Sequence, residues 1–71
     1  MDEDLIDFLF TYHPPEPGDK DRFDKITAAA KAFAQVILET CPPSADRSAA
    51  IRKVREARMT ANASIACKGR G

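Results

Sequence analysis

Few residues of this chain are of the kinds that make or break bonds. Its 71 residues include one histidine and two cysteines. His13 stands between Tyr12 and Pro14. A general base needs an orienting partner within hydrogen-bond reach, and the sequence offers none at a recognisable spacing. There is no nucleophile elbow, no GxGxxG and no P-loop. Cys41 and Cys67 form no CxxC pair, and no HxxxH exists to hold zinc. The pattern predicts a protein that is not an enzyme and needs no metal and no cofactor. His13 reads either as a loop residue bonded to its own turn or as a ligand contact.

The polar residues suit binding better than catalysis. Arg58 lies on the edge of an apolar helical stripe, about 40° from Val54 and Ile65. Arg47 shares that arc, with Arg55 and Asn62 beside it. An arginine against an apolar seam needs an anionic partner. The candidates are the carboxylates of Glu3, Asp4 and Asp7, or a bound phosphate. Arg22 and Lys25 flank one side of a second stripe, and Thr27 flanks the other. Tyr12 precedes a stiff Pro-Pro link. An aromatic held beside cations and hydroxyls is what a base and its phosphates require. The competing reading of Tyr12 is a half-buried core aromatic.

Three segments must position these groups. Pro14, Pro15, Pro17 and Gly18 make one break, and Pro42 and Pro43 make a second. The first segment, about residues 2–12, reads as a short helix with acids at its start and apolar residues nearly all round. A helix this short does not hold alone in water, so it must dock. Residues 19–40 form a helix with Phe23, Ile26, Ala30, Phe33 and Ile37 at seam spacing. Asp21, Asp24, Lys31, Gln35 and Glu39 share its water-facing arc. Residues 45–67 form a third helix, capped by Ser44, with Ala50, Val54, Ala57, Ala61 and Ile65 along its stripe and Gly69 at its end. The short CPPS link returns the two long helices antiparallel. The expected fold is all-α: a short N-terminal helix before a long two-helix hairpin, as one domain. The cysteines fall near opposite ends of the hairpin, about 30 Å apart, too far for a disulfide.

The apolar arc of the second helix spans about 200°, more than one partner helix covers. The expectation is a homo-oligomer. No apolar run reaches the ~18 residues of a membrane span, and no basic-then-apolar leader opens the chain. Lys plus Arg and Asp plus Glu each total 11. Residues 1–24 nevertheless hold eight acids and two bases, while residues 44–71 hold seven bases and two acids. Such asymmetry means pairing of the two halves, within or between chains, or an anionic partner. Zero net charge argues against a DNA or RNA binder.

The stretches FTYHPP (10–15), DRFDKITAAAKAFAQVI (21–37) and CPPSADRSAAIRKVREARMTANASIA (41–66) resemble a family of small phage proteins. These are cyclic-nucleotide sponges with a helical-hairpin domain, which counter the bacterial defences called CBASS and Thoeris. The TYHPP turn and the closing run from Met59 to Ala66 carry the resemblance. It implies a compact hexamer in the cytoplasm of the infected host, holding cyclic oligonucleotides between protomers without cleaving them. It also implies that Tyr12 stacks on a base, and that Arg22, Lys25 and Thr27 contact phosphate and ribose. Asn62 would be a polar ligand or an inter-subunit contact. Many relatives carry a base at the position of Thr27 and a small or apolar residue at that of Arg58. Either Arg58 compensates for Thr27, or the ligand preference differs. The alternative function is a helical protein-interaction module without a small ligand.

Overall fold

A computed structural model of the chain describes residues 2–70. Those residues form three helices and no strands: α1 (Glu3–Leu9), α2 (Asp19–Thr40) and α3 (Ala45–Ala66). Asp2 caps α1, its Oδ1 accepting from the Leu5 N–H at 2.7 Å. The helix stops at Leu9, short of the expected residue 12. The Thr11 hydroxyl donates to the Asp7 carbonyl, and Pro14 biases His13 away from helical backbone.

The start of α2 is built without a side-chain cap. Gly18 turns the backbone at φ 89°, a left-handed conformation that glycine adopts without strain. Asp19 then closes a reciprocal loop with Glu16. Its Oδ2 accepts from the Glu16 N–H at 2.9 Å, and its own N–H donates to the Glu16 carbonyl at 3.0 Å. At the start of α3, Ser44 Oγ accepts from the Arg47 N–H at 3.1 Å. Arg47 Nη1 donates to the Cys41 carbonyl at 3.5 Å, so this arginine closes the link between the long helices. At the far end, the Lys68 N–H donates to Ile65 and the Gly69 N–H to Ser64. That pair of bonds is the Schellman motif, with Lys68 itself at φ 53°.

The long helices pack on each other. The seam is shallow. Ile37 and Cys67 are the buried hydrophobic residues among those described, whereas Phe33, Val36 and Leu38 are each more than half exposed. Cys41 is exposed and Cys67 buried, and both are free thiols. The first helix does not lie on the hairpin: no Cα of α1 comes within 8 Å of one in α2 or α3. The docking expected of so short a helix is therefore not along the apolar arc of the hairpin. The helix hangs from the base of the hairpin instead, through Phe8. The Phe8 ring sits 4.3 Å from the His13 ring and under the Arg70 guanidinium.

The shape follows. The radius of gyration is 15.1 Å, against about 11 Å for a compact domain of this length. The chain exposes 5663 Å², whereas a globular monomer of 7.8 kDa exposes about 4,400 Å². No helix of the described residues is long and apolar enough to cross a membrane.

Candidate ligand-binding site

The shared seam of Ala30 and Val54 separates two grooves, one on each side of the hairpin. The first has a volume of about 220 Å³. Thr27, Lys31 and Ala34 line it from α2, and Ile51, Arg55 and Arg58 line it from α3. Helical spacing explains the set. Thr27 and Lys31 are one turn apart on α2, and Arg55 and Arg58 are one turn apart on α3. The groove thus gathers three cations, a hydroxyl and an apolar floor. None of the ion pairs among the described residues involves Lys31, Arg55 or Arg58. The first helix supplies Arg58 with no carboxylate, which removes Glu3, Asp4 and Asp7 as its partners within one chain.

Asn62 lies one turn beyond Arg58 on α3. It does not line the groove, but its Oδ1 is enclosed and accepts no hydrogen bond from the described residues. A buried acceptor left unmade costs about 1–3 kcal/mol, so the chain carries this polar atom at a loss until something donates to it.

The second groove is larger, about 600 Å³, and apolar. Ile26, Ala29 and Phe33 face Ala57 and Ala61 across it, with Lys53 and Arg58 also in its lining. Arg22 and Lys25 precede Ile26 and Ala29 by one turn, so they flank this groove and not the first. Arg22 is mostly exposed, with Nη1 4.0 Å from Asp19 Oδ1.

The expected site residues are therefore split. Thr27 and Arg58 share one groove, as compensation between them requires. Arg22 and Lys25 belong to the opposite flank. Tyr12 is 79% exposed, which rules out the core-aromatic reading within one chain. Among the described residues it makes no hydrogen bond or ring contact with any of these cations. His13 is half-buried in its own turn, where Nε2 donates to the Phe8 carbonyl. That nitrogen is occupied by structure. Arg47 is engaged at the hairpin link and leaves the set. Sequence reasoning placed Lys31 on the water-facing arc. Its position four residues after Thr27 was the available signal that it shares the groove. Among the described residues, no cluster of His, Cys, Asp or Glu gathers to hold a metal ion.

The two long helices thus present cations and a hydroxyl over an apolar floor, groups with the chemistry to meet an anion. The model of the Acb2/Tad1 hairpin domain matches residues 1–66, nearly the whole chain. The protein belongs to that family, the anti-CBASS and anti-Thoeris sponges of phages, which bind cyclic oligonucleotides and are not enzymes. No curated protein and no solved structure matches the chain.

Proposed function

We propose that this protein is an oligomeric sponge that sequesters a cyclic di- or trinucleotide, or a cyclic ADP-ribose-type signal, intact in the cytoplasm of the infected host. The observation that carries this reading is the Thr27–Lys31–Arg55–Arg58 groove, whose cations have no carboxylate partners among the described residues. Charge-assisted bonds from guanidinium to phosphate are the strong ones, and the fork of Arg suits them. The apolar floor of Ala34 and Ile51 leaves a surface for a flat base.

The groove is also too small. Sites for ligands of drug size are about 300–1,000 Å³, so one hairpin offers part of a site and a second copy completes it. Tyr12, exposed in the link between α1 and α2, is suited to reach a neighbour's ligand. A hexamer is the assembly proposed. Retention without cleavage is the reading that the family supports. The single histidine is tied to the Phe8 carbonyl, and no nucleophile–base pair faces either groove.

A thermal-shift and calorimetric screen with cyclic nucleotides tests the reading. A ligand at a hundredfold excess over its dissociation constant stabilises by about 2.7 kcal/mol. Arg58→Ala, Arg55→Ala and Tyr12→Ala are each expected to weaken binding about tenfold or more. Ligand recovered after denaturation should be chemically unchanged. No shift with any cyclic nucleotide, from protein that stays oligomeric, would favour the interaction-module reading instead.

A further inference from the structure

The N-terminal arm and the apolar groove are both unsatisfied in one chain, and their surfaces are complementary. The arm holds an outward apolar pair, Ile6 on α1 and Phe10 at its C-cap, four residues on. Ile6 is 42% exposed and Phe10 is 88% exposed. Glu3 and Asp7, both exposed, lie beside that pair on the helix surface. The groove is the inverse. Its floor is Ile26, Ala29, Phe33, Ala57 and Ala61, where the alanines leave room for larger side chains to enter. Its edges carry Lys53 and Arg58, with Lys25 one turn before Ala29, and none of these three is in an ion pair among the described residues.

We infer that α1 of one chain docks in the apolar groove of a second copy, Ile6 and Phe10 entering between Phe33 and Ala57 while Glu3 and Asp7 meet Lys25 and Lys53. The arm cannot serve its own groove without giving up its anchor. Phe8 lies under the Arg70 guanidinium, just beyond the end of α3, and turning α1 over would break that contact. The surface left to cover is of the order an interface needs. The chain exposes roughly 1,300 Å² more than a globular monomer of its mass, and a standard interface buries about 800 Å² on each partner. The exchange also explains the opposed charges of the two ends of the sequence. The acids of the arm meet bases of another chain's hairpin. This inference rests on the oligomer proposed above and names the contact that builds it.

Cross-linking between two differently marked chains tests it. In a Cys41→Ser background, one chain carries Ile6→Cys and the other Ala29→Cys. A short bismaleimide is added to their equimolar mixture, and a chain carrying both substitutions is treated alone. The expected result is a cross-linked pair containing one chain of each kind, and cross-linked dimers from the double variant. Each variant should keep the helical circular dichroism of the parent. An intrachain product alone, or no product from chains that sediment as oligomers, overturns the inference. Cyclic-nucleotide thermal shifts on the same samples keep the two readings apart. Mixed cross-links without any ligand shift would leave the arm exchange standing and remove the sponge. Ligand shifts without mixed cross-links would do the reverse.

Discussion

The Arg70 guanidinium lies 4.1 Å from the centroid of the Phe8 ring. Two residues at opposite ends of the sequence thereby fix how the N-terminal arm leaves the hairpin. A cation over an exposed or half-buried ring contributes about 0.5–1 kcal/mol. Arg70→Ala is therefore expected to loosen α1 alone. Amide hydrogen exchange should accelerate about two- to fivefold over residues 3–9. The middle of α2 and α3 should keep its protection.

Gly18 enters α2 at φ 89° with nothing within 4 Å of where a Cβ would stand. Space is not the obstacle to substitution, so the cost is conformational. Gly18→Ala is expected to lower stability by about 1–2 kcal/mol, read as a fall in the urea midpoint at constant m-value. An unchanged midpoint would show that the backbone there relaxes freely.

The enclosed Oδ1 of Asn62 makes a two-sided prediction. Asn62→Leu removes an acceptor without a donor, so the isolated chain should become more stable by about 1 kcal/mol or stay unchanged. Cyclic-nucleotide affinity or assembly should weaken together with that gain. A variant less stable under dilute conditions and unaltered in binding and assembly would assign Asn62 to internal packing.

Two exposed pairs set a dependence on alkaline pH. Lys20 and Lys68 hold their protons above the ordinary 10.5, each chiefly through a side-chain hydrogen bond, to Asp24 and Glu16 respectively, and then through the partner's charge. A raised folded pKa means a contribution fully present below the unfolded value and lost as pH rises through the folded one. The stability difference between the parent and Lys68→Met should be level up to about pH 10.5 and shrink above it. Added salt should reduce it at every pH, because both partners are solvated.

Much of the fold was legible because its punctuation is local. Pro42 and Pro43 stop α2, Ser44 starts α3, and the seam spacing from Phe23 to Ile37 marks the face that packs. The entry to α2 was only half legible. Gly18 is a break in any reading, but the loop that Asp19 closes with Glu16 depends on a side-chain angle. The arm was not legible. Its composition shows that it must dock, yet Phe8 and Arg70 are too far apart in sequence for any periodicity to join them. For the same reason the acids of the arm were natural partners for Arg58 on paper, although α1 points elsewhere. Within the site, Thr27 and Arg58 could be placed from helical angles. Lys31 was lost because a long side chain on a polar arc can lean over the groove beside it.

The shallow seam has a consequence for how abundance governs this protein. With Ile37 and Cys67 as its buried hydrophobic residues, a lone hairpin has little holding it together. In the oligomer proposed above, what covers its grooves supplies the rest. Mass action then makes melting temperature a property of the solution as much as of the sequence, rising with protein concentration. Chains made early and sparsely would be exposed to proteolysis, and chains made in bulk would protect one another. A defective copy that still offers its groove would occupy a neighbour's arm, so loss-of-function variants should interfere with the parent when both are expressed together.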